Sequence, residues 1–245
     1  MIGLVALAAV VAAAGDPAGS FLGTFTSEEA VYFAKDKGGT PPPWLGVEFA
    51  AAPGGARVRT VDAYGKPGGE DQIMSIAASK GGAATSVSGC RVAYARNGET
   101  LKAIGRSGTC TSPGWISAVG PKSLTLTLAS GQAVELQRAR PFDCWVSMKK
   151  AAKKADGSED WSFDRVKLHD AGGRAAVTVD GQTASLRMRN VAWPSGPNRP
   201  SLVLYVHKDD PDHAVSYSWA DPEAKRVGLN LRWMQASCTL SGSGA

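Results

Sequence analysis

From residue 46 onward the chain runs in short stretches that alternate apolar and polar side chains. That two-residue period turns one face of a strand to a core and the other to water. The stretches are GVEFA (46–50), ARVRTVDAY (56–64), DQIMSIAAS (71–79), CRVAYAR (90–96), TLKAIGR (100–106), WISAV (115–119), SLTLTLA (123–129) and AVELQRA (133–139). They continue with WSFDRVKLH (161–169), RAAVTVD (174–180), TASLRMRNV (183–191), SLVLYVH (201–207), AVSYSW (214–219) and RVGLNLRWM (226–234). Asn97-Gly98, Ser130-Gly131 and Asp180-Gly181 join neighbouring stretches and take the positive φ angles of tight hairpins. Many short strands with hairpin links predict an all-β fold, an antiparallel calycin-like barrel with a β-sandwich as the alternative.

One helix is predicted ahead of the strands. Thr26 to Glu29 has capping-box form, Ala30, Val31, Phe33 and Ala34 supply an apolar face, and Gly38-Gly39 ends the helix before Pro41. Residues 1–14, MIGLVALAAVVAAA, carry no charged or polar side chain and close on three alanines. This pattern predicts a signal peptide cleaved after Ala14. As a helix the run spans only about 21 Å, less than a bilayer core. The mature chain, 15–245, is then a single elaborated β domain, periplasmic or secreted, with no transmembrane segment. A sub-boundary is expected at 148–160, where the composition turns charged.

Export changes the reading of the cysteines. An even count in an oxidising compartment implies two disulfides among Cys90, Cys110, Cys144 and Cys238. Three pairings are open. Cys90 and Cys110 flank a hairpin, so they are the preferred pair, which leaves Cys144 with Cys238. Zinc is disfavoured because neither CxxC spacing nor clustered histidine accompanies them.

The net charge of +5 is mildly basic. Lys149, Lys150, Lys153 and Lys154 read as a solvated linker or helix face. No aromatic residue interleaves with them, which argues against nucleic acid as a partner. Nucleotide-binding, serine-hydrolase and zinc-protease motifs are absent. His169-Asp170 reads as part of a turn. His207 to His213, with two imidazoles and three aspartates, reads as an exposed turn before a metal loop. No catalytic residue, cofactor or metal is assigned.

The most distinctive string is WPSGPNRP (193–200). Its prolines make a rigid loop that can bind at low entropic cost, with Trp193 at the entrance and Arg199 near the exit. The alternative is that Trp193 plugs a core. Tyr217, Trp219 and Trp233 are expected in core packing.

The run GCRVAYARNGETLKAIGRSGTC (89–110) is similar to a stretch of the CpcT/CpeT family of phycobilin lyases, where a Gly-Cys precedes a hairpin and a second cysteine follows. FLGTFTSEEA (21–30) and VDAYGKP (61–67) extend the resemblance over roughly residues 20–143. It implies a calyx-shaped antiparallel barrel around a ligand cavity, with Tyr64 and Cys90 nearest to bilin-handling positions. The expectation is an exported, non-catalytic binding protein of the cell envelope. Its ligand would be small and apolar or amphipathic, or tetrapyrrole-like, and held by Tyr64, Trp193 and Arg199. A bilin lyase and a ligand-free structural module are the alternatives. The sequence sets no oligomeric state.

Overall fold

Alternating runs joined by hairpins can bury their apolar sides only by curling or stacking, and this chain does both. The computed structural model describes residues 17–110, 114–194 and 196–242, so the predicted signal peptide lies outside the described residues. Ten antiparallel strands close into a barrel: β1 (Gly23–Thr26), β2 (Gly46–Ala52), β3 (Gly55–Thr60), β4 (Gln72–Ser79), β5 (Gly82–Val87), β6 (Cys90–Asn97), β7 (Thr100–Ser107), β8 (Trp115–Val119), β9 (Ser123–Thr127) and β10 (Ala133–Arg138). Each pairs with its sequence neighbour, and β1 closes the ring by pairing with both β2 and β10. A short helix, α1 (Pro17–Phe21), sends Phe21 into the barrel core, edge-on to Tyr94 at 5.6 Å.

The second half is a sandwich. Its strands are β11 (Pro141–Lys153), β12 (Glu159–Trp161), β13 (Asp164–His169), β14 (Ala171–Val179), β15 (Gln182–Val191), β16 (Ser201–Lys208), β17 (Ala214–Ala220), β18 (Arg226–Asn230) and β19 (Met234–Leu240). One sheet runs β12-β11-β19-β18 with β13 also on β11, and the other runs β14-β15-β16-β17. Phe142, Val146 and Met148 from the first sheet share a core with Leu186, Met188 and Leu204 from the second. Barrel and sandwich thus occur in succession, each with its own buried cluster.

Several elements depart from the sequence reading. The lysine stretch is no linker: Lys149 and Lys150 lie on β11, and cross-strand ion pairs with Glu159 (2.9 Å) and Asp160 (2.8 Å) hold them. The run 226–234 breaks into β18 and the start of β19, with the Leu231 amide donating to the Met234 carbonyl across the turn. β5, rich in glycine and alanine, has too little β-propensity to be read beforehand. The hairpin glycines behave as predicted. At Asp180-Gly181 both φ angles are positive (50° and 76°), as a type I′ turn requires.

Both preferred disulfides are present, Cys90–Cys110 and Cys144–Cys238, and no cysteine among the described residues is free. Cys144 and Cys238 sit directly opposite each other on β11 and β19. This bridge therefore staples neighbouring strands of the sandwich and does not tie the two halves together.

The halves are joined by α2 (Glu28–Asp36) and its entrance. The expected capping box does not form. The Ser27 hydroxyl donates to the Pro43 carbonyl and accepts from the Leu45 amide, while Thr26 Oγ1 donates to the Ala171 carbonyl at 2.6 Å. Glu28 and Glu29, placed at the helix N-terminus where the dipole favours them, are buried against the sandwich. Beside them Arg140 Nε donates to Asp170 Oδ2 at 2.5 Å, linking the start of the sandwich to the turn before β14.

Candidate functional site: an aromatic groove

The outer face of the β14–β17 sheet is organised in rows. Register places Arg174, Arg187, Tyr205 and Tyr217 side by side across the four strands, and Arg189, Val203 and Trp219 along the next row. Each row passes from cationic at one side of the sheet to aromatic at the other. Helix α2 covers the cationic side. Glu28 pairs with Arg187, and Glu29 Oε1 lies 2.6 Å from Arg189 Nη2. The Arg189 guanidinium, fully buried, stacks over the Tyr32 ring at 3.6 Å. Burial raises the Glu29 carboxyl above its ordinary value, opposed by Arg189. Burial, then the neighbouring Arg189 charge, pushes Arg187 down to about 10.

The aromatic side stays uncovered. Tyr217 is 65% exposed and Trp219 73% exposed, against the expectation that both pack in a core. Alternation on β17 is equally compatible with either parity facing inward. Here Ser216 and Ser218 lie on the less exposed face, and Val215, Tyr217 and Trp219 point out from the sheet's edge strand. Trp233, by contrast, does pack against the sandwich core.

Around these rings a groove of about 410 Å³ forms. Val203, Tyr205, Tyr217 and Trp219 make its floor, Tyr32 of α2 one wall, and Trp193, Asn198 and Arg199 the other. Trp193 is anchored edge-on to Phe33 at 5.9 Å, and Phe33 in turn meets Tyr32 at 5.3 Å. Trp193 therefore packs against α2 at the groove wall instead of plugging either core. Asn198, Arg199 and Ser201 bring polar groups to the same rim, and no carboxylate lines the groove. Burial raises the Tyr205 hydroxyl pKa, so it stays a neutral donor near neutral pH. Trp193 and Arg199 are thus brought together. Tyr32, Tyr205, Tyr217 and Trp219 complete the site, and only the exposure of β17 identifies them.

Tyr64 lies elsewhere. It is 41% exposed on a turn outside the barrel, where the Asp62 carboxylate accepts from the Tyr64 and Lys66 amides. It borders a wider groove of about 800 Å³, which also has Tyr32 in its lining. Several of the polar groups there are engaged with one another: Arg174 with Asp212 at 3.8 Å, Glu28 with Arg187 and with Trp44 Nε1, while Lys35 and Asp36 also line the groove.

The barrel interior is filled by side chains. What remains is an apolar cavity of about 80 Å³ lined by Phe49, Met74, Tyr94, Trp115 and Leu126, with Cys90 locked in its disulfide at the border. That is space for two or three waters at roughly 30 Å³ each, whereas ligand sites usually offer about 300–1,000 Å³.

The histidines do not converge. His169 is half-buried beside Asp170, whose carboxylate is taken up by Arg140. His207 is buried, while His213 is exposed and bonded to Asp210 at 2.6 Å. Among the described residues no group of three or more His, Cys, Asp or Glu is placed to hold a metal. No helix among them is long and apolar enough to cross a membrane. No family model matches this chain, and neither a curated protein nor a solved structure does.

Proposed function

We propose that the chain is an exported, non-catalytic binding protein of the cell envelope whose small amphipathic ligand sits in the aromatic groove. The observation that carries this reading is the exposure of Tyr217 and Trp219 beside Trp193. Large rings kept out of both cores, next to a rigid loop, cost solubility unless a ligand covers them. The groove has the volume of a ligand site, and the barrel cavity does not. Support for export comes from the apolar, alanine-ended stretch at 1–14 and the two disulfides. In this reading the barrel is a solid scaffold that presents α2, and through it Tyr32, to the sandwich.

The test uses 1-anilinonaphthalene-8-sulfonate, an amphipathic aromatic anion whose emission rises on burial. Wild-type protein should give a saturable one-site increase that Trp219→Ala removes and Trp115→Ala, at the barrel cavity, leaves in place. Loss with Trp115→Ala and retention with Trp219→Ala would move the site into the barrel and overturn the proposal.

A further inference from the structure

The groove's chemistry narrows the ligand further, given the reading that it is a binding site. We infer that it takes an acidic saccharide, a chain of pyranose rings bearing carboxylates. A pyranose presents C–H groups on its faces and hydroxyls around its edge. The C–H groups carry partial positive charge and meet the negative face of an aromatic ring. The floor here is three aromatic rings and one aliphatic side chain, Val203, with the Tyr205 and Tyr217 rings tilted by 48° to each other. Tyr217 and Trp219 occupy alternate positions of one strand, which spaces their attachment points by about 6.8 Å and gives room for two successive sugar rings.

The rim supplies the polar half of the recognition. Asn198, Ser201 and the tyrosine hydroxyls can exchange hydrogen bonds with sugar hydroxyls. Among the described residues of the lining Arg199 is the one that carries a charge, and its fork of donors suits a carboxylate. Arg187 and Arg189 lie beside the floor in the same rows, under α2, but Glu28 and Glu29 occupy them, which leaves Arg199 as the cation at the groove. The chain's net charge of +5 adds attraction for a polyanion. Among the described residues that line the groove there is no carboxylate pair of the kind that glycoside hydrolysis uses.

The full mature chain is titrated with hexasaccharides of hyaluronate, mannuronate and galacturonate, and with neutral chitohexaose, following tryptophan fluorescence. At least one acidic hexasaccharide should bind saturably. Trp219→Ala should weaken it tenfold or more. Arg199→Gln should weaken it at least fivefold, and by a larger factor than it weakens any chitohexaose binding, and added salt should weaken acidic hexasaccharide binding to the wild type. Both substituted residues are exposed, and circular dichroism confirms that the variants fold. If the naphthalene sulfonate occupies the groove but none of the three acidic hexasaccharides binds, the saccharide inference fails and the binding-site reading stands. If the dye itself ignores Trp219→Ala, the binding-site reading fails. Saccharide binding indifferent to both substitutions, or displacement of the dye by a tryptophan-containing apolar peptide alone, also overturns the inference.

Discussion

Glu29, in the first turn of α2, reaches Arg189 in the middle of the sandwich sheet, its Oε1 lying 2.7 Å from Nε and 2.6 Å from Nη2. The two residues are 160 positions apart in the chain. Their pairing docks the barrel half on the sandwich half and also holds Tyr32 over the guanidinium, as one wall of the groove.

Removing Glu29 takes the bonded carboxylate from the buried Arg189 and leaves Glu28 Oε1 at 4.0 Å from its Nε, and breaking a buried pair in this way costs about 3–5 kcal/mol. Glu29→Ala should therefore lower stability by that order in urea denaturation, and it should also reduce dye binding by releasing Tyr32. Replacing both residues with leucine should recover much of the stability, because two desolvated charges disappear together.

Gly172 is a second requirement of the same interface. Its φ is +85°, and a Cβ added there would come within 2.2 Å of the Glu28 side chain. Gly172→Ala should destabilise by about 1–3 kcal/mol through backbone strain, with further loss from displacing Glu28. Gly181→Ala, where φ is +76° but nothing lies within 4 Å, separates strain from collision and should cost less. Thermal melts of the two variants make the comparison.

The disulfides should differ in weight. Sequence separations of 20 and 94 residues give about 3 and about 4.7 kcal/mol on a chain-entropy account. Replacing Cys144 and Cys238 with alanine should lower the denaturation midpoint more than the same change at Cys90 and Cys110.

Acid should weaken the fold before carboxylates titrate. Burial lowers the pKa of His169 and of His207 below 6.5, with Arg174 and Arg187 adding to the effect at His207. The unfolded chain then takes up protons first. The contribution of these histidines is complete above pH 6.5 and is lost as pH falls below it toward the lowered native values. Urea midpoints at pH 7.5 and 5.5 should show the drop, and His207→Asn should shrink the difference between them. An undiminished difference in both His207→Asn and His169→Asn would contradict this account.

Much of the scaffold could be read from residue order. The alternation around Val134 and Leu136, or Leu124 and Leu126, names the inward residues of the barrel correctly. The extra strands escaped because their signals conflict. β5 is mostly small residues, and β11 ends in lysines whose aliphatic stems and cross-strand carboxylates let a charged run continue a sheet. Trp193 and Arg199 stood out because prolines and an aromatic in one loop are a local signal. Tyr217 and Trp219 read as core packing in the sequence because apolar rings on an alternating strand look the same from either face.

The sequence by itself determined the β class and the hairpin turns and favoured Cys90–Cys110, because strand period, turn φ angles and the hairpin between those two cysteines are set by near neighbours, while the Cys144–Cys238 bridge across 94 residues is settled by the pairing of β11 with β19. Tertiary structure decided which parity of β17 met water, which glutamates answered Arg187 and Arg189, and that the larger groove space lies outside the barrel. Those outcomes depend on how distant elements cover one another: α2 shields the arginine side of the sheet and leaves its aromatic side open.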